Sequence, residues 1–295
     1  MQNDLGLSSA SFLVAKVEED LSQNEMDMLA IEEPLEIRLG YELENGLRER
    51  KTISITMRTP GHDFELAFGF LYTEGIIESV DEIESIKHCG PTLNKALAKN
   101  IVIVELKSIK MKNRLAKLTR HFYTSSSCGV CGKTSIEALK TQSPFIAQKR
   151  RDYKVSRDFI HDLPRMLRAS QNVFENTGGL HASGLFSKKD GIILLREDVG
   201  RHNALDKVIG YGLLNKLLPL SDVVLLVSGR ASFELVQKAA MAGIQIMAAV
   251  GAPSSLAVEL ATEMDLTLLG FVRNQRFNIY HGERRILKSG VMDEA

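Results

Sequence analysis

Three stretches in the second half of the chain are almost wholly apolar, broken only by Gln245 and Thr267, and helical spacing follows the first two. Val223–Val227 precedes Ala231, Leu235, Val236, Ala239 and Ala240. Ile244–Val250 precedes Leu256, Ala257, Leu260, Ala261 and Met264, and Leu266–Val272 closes the series. A shorter run, Ile192–Leu195, stands ahead of Ala204, Leu205, Val208, Ile209 and Leu213. A strand without polar alternation must be covered on both faces, and intervening helices provide the cover. The pattern predicts an α/β fold with a largely parallel sheet and helices on both faces. In such sheets ligands sit beyond the carboxyl ends of the strands, at the strand-to-helix loops.

The first half reads differently. Leu35, Ile37 and Leu39, then Ile53, Ile55 and Met57, alternate as two strands of a hairpin. Phe64, Ala67, Phe68 and Leu71 follow Thr59-Pro60 at helical spacing, and Gly75 closes that helix. Ile101–Leu106 is a further strand. The division expected is a loose acidic arm (1–30), a smaller N-terminal α+β subdomain (31–115), a mobile loop (116–154) and an α/β domain (155–295).

Charge and cysteine usage narrow the function. Lys plus Arg and Asp plus Glu are 37 each, so the basic excess of a nucleic-acid binder is missing. No run of about 18 apolar residues is present and the N-terminus has no basic n-region, so no membrane span is expected and the cytoplasm is the expected location. Three cysteines in 295 residues cannot make a disulfide framework.

Two of those cysteines stand in Cys128-Gly129-Val130-Cys131-Gly132-Lys133. A thiolate is the reactive form of cysteine, and Lys133 or His121 would favour it. The glycines leave both sulfurs uncrowded. A zinc site needs two more ligands, and His88, His121 and His181 have no ligand spacing to the pair. A thioredoxin-type pair opens a helix after a strand, whereas this one follows a polar linker. The motif therefore reads as a nucleophilic or sulfur-carrying loop, and no metal is expected. Cys89 reads as structural.

Three further clusters are candidates for ligand contact. The first is Asn176-Thr177-Gly178-Gly179-Leu180-His181-Ala182-Ser183. In it His181-Ala182-Ser183 has Ser where a nucleobase deaminase places its proton-shuttling Glu. The second, Glu197-Asp198-Val199-Gly200-Arg201-His202-Asn203, lies between a strand and a helix. Capping accounts for Asp198 but not for Arg201 and His202. The third comprises the loops Ser228-Gly229-Arg230-Ala231-Ser232 and Gly251-Ala252-Pro253-Ser254-Ser255, which also open helices. Helix N-termini bind anions through free N–H groups, so His181, Arg201, His202, Ser228 and Arg230 are candidate phosphate contacts.

CGVCGK, NTGGLHASGLF, EDVGRHNALDKVIG, VSGRASFELVQKAAMAGI, GAPSSLAVELA and GFVRNQRFNIY, with IEEPLEI and MRTPGHDFELAFGFLYTEGII upstream, resemble the formate dehydrogenase accessory sulfurtransferase family from about residue 31 to 280. The resemblance implies a cytidine-deaminase-like fold, with a mixed, largely parallel sheet, and no deaminase activity. It implies a sulfur carrier that takes persulfide sulfur from a cysteine desulfurase on Cys128 and Cys131. The acceptor it implies is the bis(molybdopterin guanine dinucleotide) molybdenum cofactor, bound as substrate before insertion into formate dehydrogenase. The family's cofactor segment falls on Phe271, Val272, Arg273, Asn274, Gln275 and Arg276, and a homodimer is implied as well. A non-catalytic cofactor chaperone and a zinc hydrolase of deaminase type are the alternative classes.

Overall fold

The computed structural model describes residues 8–43, 45–89, 99–107 and 152–289. The CxxC at Cys128 and Cys131, with His121 and Lys133, lies outside them. Where the sequence suggests a loose arm, strands β1 (Ser9–Glu18) and β2 (Leu21–Ala30) form a long antiparallel hairpin. The turn at Glu19-Asp20, with Glu19 at φ 53°, reverses the chain, and ten residue pairs then stay in register. Strand signals on both of its faces obscured the period in the sequence.

Strands β3 (Glu33–Glu42) and β4 (Arg48–Arg58) are the expected hairpin. With β5 (Ile83–His88) and β6 (Ile101–Leu106) they form a four-stranded sheet in the order β4-β3-β6-β5. Helix α1 (Asp63–Thr73) packs on its inner face through Leu66, Ala67, Phe68 and Leu71, against Leu35, Ile37, Val102 and Val104.

The larger sheet comprises β8 (His181–Ser187), β9 (Gly191–Asp198), β10 (Val224–Val227), β11 (Ile246–Ala249), β12 (Thr267–Arg273) and β13 (Arg276–His281), in the order β13-β12-β11-β10-β8-β9. Only β10, β11 and β12 are mutually parallel. The other three pairings are antiparallel, so the sheet is mixed rather than largely parallel. Two hairpins account for two of these, β8 returning as β9 and β12 as β13 through Asn274-Gln275, and the third arises where β10 lies antiparallel to β8.

Both faces are covered, and the central strands feed two cores by turns. Val224, Leu226, Ile246 and Ala248 face α2 (Arg157–Ser170), which buries Ile160, Leu163 and Leu167. Leu225, Val227, Met247 and Ala249 belong to the other core, with residues of α4 (Arg201–Leu214), α5 (Phe233–Met241) and α6 (Ser255–Glu263). That second core also contains the inner face of the four-stranded sheet. A short helix, α3 (Asn172–Thr177), leads into β8, and β7 (Val155–Ser156) pairs with β14 (Ile286–Leu287). Among the described residues no helix is long and apolar enough to cross a membrane.

Candidate functional site

The carboxyl end of β10 is where the predicted residues meet. Because β8 runs antiparallel to β10, its first residue, His181, comes to that end. Ser228 fixes the junction: its N–H donates to Ala182 O at 2.9 Å, and its hydroxyl accepts from Ala182 N at 2.9 Å. Ser228 thus joins the strands. A Cβ at Gly229 would lie in ordinary contact distance, 3.4 Å from His181 Nδ1 and 4.0 Å from Arg201 Cδ, which places both side chains beside this loop.

The following loops are laced together by backbone. Gly251 N–H donates to Gly229 O at 3.0 Å, Ala231 N–H to Ala252 O at 3.2 Å, and Phe271 N–H to Gly251 O at 3.0 Å. The strand ends of β10, β11 and β12 therefore form one rim carrying His181, Arg201, Arg230 and Phe271. Arg201 Nε is buried and has no hydrogen-bond partner among the described residues.

Helix α4 begins at Arg201 with Gly200 as its N-cap, and no side chain caps it. Asp198 is therefore not the cap. Its carboxylate accepts from Gly200 N at 2.8 Å, Asn203 Nδ2 at 3.0 Å and Thr59 N at 3.2 Å, and it pairs with Lys207 at 2.7 Å. Asn203 also donates to Met57 O at 2.7 Å, so it belongs to this scaffold rather than to the rim. Glu197 faces elsewhere, accepting from Val173 N and Phe174 N at the start of α3. Helix α5 likewise starts without a side-chain cap, whereas α6 is capped by Ser254, which accepts from Ala257 N at 3.2 Å. The start of α4 is thus open, whereas at the start of α5 the Glu234 carboxylate accepts from its own backbone N–H.

His202 Nε2 lies 3.3 Å from Ser232 Oγ and 3.8 Å from Glu234 Oε2. Burial, then the charges of Lys238 and Arg201, push its pKa down to about 4. Burial, and then Arg201, also lower His181. Both imidazoles are therefore neutral near pH 7 and offer one donor and one acceptor each, leaving positive charge to the arginines.

The segment from Phe271 to Arg276 forms the β12–β13 hairpin end. Asn274 and Gln275 have φ of 52° and 55°, which makes a tight two-residue turn matching the sheet twist. Arg273 and Arg276 are paired across it and exposed. Val272 is fully buried in the α2-side core, so its side chain anchors the hairpin instead of facing the rim. Phe271 holds φ at 54°, an uncommon value for a bulky residue, where the register shifts. Its ring centroid is 5.9 Å from Arg273 Cζ. The sequence gives no signal for this backbone state. Cys89, read as structural, is exposed. Among the described residues no group of three or more His, Cys, Asp or Glu is arranged to hold a metal ion.

Known proteins share this arrangement of sequence and fold. The chain is 47% identical over 274 residues to the sulfur carrier protein FdhD of Streptomyces avermitilis, covering 92% of this chain and 94% of that one. It is 44% identical over 286 residues to the protein of the same name from Mycobacterium tuberculosis, covering 96% and 100%. The Sulfurisphaera tokodaii protein of that name is 41% identical over 275 residues, covering 93% and 97%. A crystal structure described as that of a candidate formate dehydrogenase accessory protein from Desulfotalea psychrophila superposes with a TM-score of 0.70 at 25% identity, covering 95% of this chain and 100% of that one. The FdhD/NarQ family profile matches residues 30–287, and the chain belongs to that family.

Proposed function

We propose that this protein is a sulfur carrier. In this reading it takes persulfide sulfur from a cysteine desulfurase and delivers it to the bis(molybdopterin guanine dinucleotide) molybdenum cofactor before that cofactor enters formate dehydrogenase. The observation that carries the reading is the rim at the carboxyl ends of β10 to β12. There, the uncapped start of α4, Arg201 with an unpartnered buried Nε, Arg230 and the Arg273–Arg276 hairpin gather positive charge and donors. A cofactor with two guanine nucleotides presents pyrophosphates and planar bases, which suit helix N-termini and arginine forks. The relatives' name and the family membership support the sulfur chemistry. We read the mixed sheet with its flanking helices as deaminase-like in architecture, with Ser183 standing where that chemistry would need a Glu. Both steps would take place in the cytoplasm.

Two thiol exchanges suffice. The Cys128 thiolate attacks the outer sulfur of the donor persulfide. A new S–S bond forms, the old one breaks, and the donor leaves as a thiolate. Cys131 then attacks the inner sulfur of the Cys128 persulfide. A Cys128–Cys131 disulfide closes, and the outer sulfur leaves at the sulfide level for molybdenum. The two electrons come from the cysteine pair, so this step needs no outside reductant, although the disulfide must be reduced before the next cycle.

Intact-mass analysis after incubation with a cysteine desulfurase and cysteine tests this. A reducible gain of one sulfur is expected on the native protein, with loss of acceptor activation in Cys128→Ala. If the Cys128→Ala, Cys131→Ala double variant still activates formate dehydrogenase fully, the carrier mechanism is wrong and a cofactor chaperone remains.

A further inference from the structure

Helices α4 and α5 pack side by side, and two polar rungs join them just below the rim. The upper rung is His202 with Glu234, Nε2 to Oε2 at 3.8 Å, both partly exposed. The lower rung is Lys238 with Asp206, Nζ lying 2.9 Å and 3.0 Å from the two carboxylate oxygens, and both residues are buried. On each helix the two rung residues are four apart, so the rungs stack one turn, about 6 Å, from each other. Thr73 of α1 closes the lower rung. Its hydroxyl accepts from Lys238 at 2.8 Å and donates to Asp206 at 3.1 Å. Glu74 Oε1 lies 3.7 Å from the same ammonium, and the Phe70 ring centroid 5.7 Å.

A buried ion pair is a poor device for merely joining helices. Desolvation cancels most of its attraction, and apolar side chains of similar size hold at least as well. The same two helices already bury Leu205, Val208, Leu235 and Val236 in the core. What the ammonium adds is a charge in a fixed place. Both Asp206 oxygens and the Thr73 hydroxyl keep it from turning away, and at this depth solvent ions screen it little.

We infer that Lys238 is a positioning residue for the rim: held by Asp206 and Thr73 one turn beneath His202, it keeps that ring an uncharged hydrogen-bonding partner, so that positive charge toward an anionic ligand comes from the arginines. This rests on reading the rim as an anion site. The groups facing His202 are Arg201 and Asp206 on its own helix, and Ser232, Glu234 and Lys238 from α5 and its leading residue. Asp206 and Glu234 favour an imidazolium, whereas Arg201 and Lys238 oppose it. Asp206 is matched by the ammonium, and Glu234 is 44% exposed and screened by solvent. Burial, then Lys238, then Arg201 carry the outcome and push the ring's pKa down to about 4. His181 is lowered by burial and then Arg201, with no part from Lys238. A rim built this way takes up no proton at His202 when an anion arrives, so its affinity does not follow pH through that ring near neutrality.

Histidine side-chain NMR on the ligand-free full chain tests this without reference to nucleotide or sulfur, with His202→Gln assigning the signal. Asp206→Asn with Lys238→Met removes both buried charges together and strands neither. Native His202 is expected to stay uncharged from pH 7 to 5. In the double variant its midpoint should rise by about one pH unit or more toward the ordinary 6.5, while that of His181 holds. Lys238→Arg keeps the charge and should leave His202 low. Should the double variant not fold, Lys238→Gln replaces it, since its amide can still donate to Asp206 and Thr73. A His202 midpoint that stays put when the ammonium is lost, or that moves together with that of His181, would overturn the positioning role. Calorimetry with GDP then reads the consequence. The ratio of variant to native affinity should grow about threefold or more from pH 7 to 5, as the variant ring gains charge beside a pyrophosphate. A constant ratio despite a moved ring would overturn the role at the rim. Failure of the native protein to bind GDP would count against the rim reading, which the NMR result does not use.

Discussion

The Lys207 ammonium lies 2.7 Å from the Asp198 carboxylate, and neither side chain is exposed beyond 1%. Lys207 also donates to Thr59 O at 3.0 Å and Glu197 O at 3.3 Å. Asp198 holds the Gly200 N–H that immediately precedes Arg201. The pair thus sets the entry of α4 and joins it to the N-terminal sheet. Removing one member leaves the other charge buried and unpaired. Lys207→Met is expected to cost about 3–5 kcal/mol, and the Asp198→Asn, Lys207→Met pair less than the sum of its singles. Urea unfolding of the four proteins checks this.

Helices α1 and α4 touch through glycine. A Cβ at Gly210 would fall 1.8 Å from Glu65 O, and one at Gly69 would fall 1.9 Å from Asp206 O. Backbone cannot yield as a side chain can, so Gly210→Ala should cost about 1–3 kcal/mol or more from overpacking. Gly212 on the same helix is the control. Its Cβ would come no closer than 3.4 Å to Leu218 and Leu220 side chains, and alanine improves helix propensity. Thermal melts should show a large loss for Gly210→Ala and little change for Gly212→Ala; equal losses would refute the close-approach argument.

What could be read from the sequence divides along a physical line. The runs at β10, β11 and β12 are legible because burial on both faces writes itself as nearly continuous apolar sequence. Strand β8 was not: Gly184 and Ser183 made it look like a loop, yet the space a Cβ would take at Gly184 is occupied by Phe186 and Leu167. Strand β13 was hidden because Phe277 and Ile279 alternate for only a few residues. Helix α2 carries Pro164. Loop position alone singles out His181, Arg201 and Arg230, and the antiparallel placement of β8 beside β10 brings them to one rim. The burial of Lys207 was not readable, because its carbonyl partner at Thr59 comes from the other half of the chain.

Acid should weaken the fold through His202. Its pKa is lowered to about 4 when folded, against an ordinary value of 6.5. A depressed group contributes stability that is fully present above the unfolded value and is lost as pH falls through the folded one. The window is therefore about pH 6.5 down to 4. Burial raises Asp206, whose titration runs in the opposite sense, so the informative quantity is a difference. The Tm of the native protein minus that of His202→Gln should fall across this window and stay flat above it. A constant difference would mean that His202 does not titrate there.

The last prediction concerns the β12–β13 hairpin. Arg273 and Arg276 face each other across a two-residue turn, both exposed, with Phe271 held at φ 54° beside them. Strained backbone on a bulky residue is stabilised by its surroundings and is concentrated where ligands bind. An exposed guanidinium loses little by being there and gains a bidentate partner when a pyrophosphate arrives. GDP is therefore expected to raise the Tm of the native protein in proportion to occupancy. Arg273→Ala or Arg276→Ala should weaken GDP binding by about 1–3 kcal/mol, the scale of a lost charge-assisted hydrogen bond. Neither change touches the core, since Val272 and not the arginines anchors the hairpin, so unliganded Tm should hold. Sulfur loading on the cysteine pair should also persist, because it uses another part of the chain. Calorimetry with GDP on the three proteins decides the first point, and intact mass after desulfurase treatment decides the second. Unchanged affinity in both variants would remove the hairpin from the site, and lost loading in either would show that cofactor binding and sulfur acceptance are not separable.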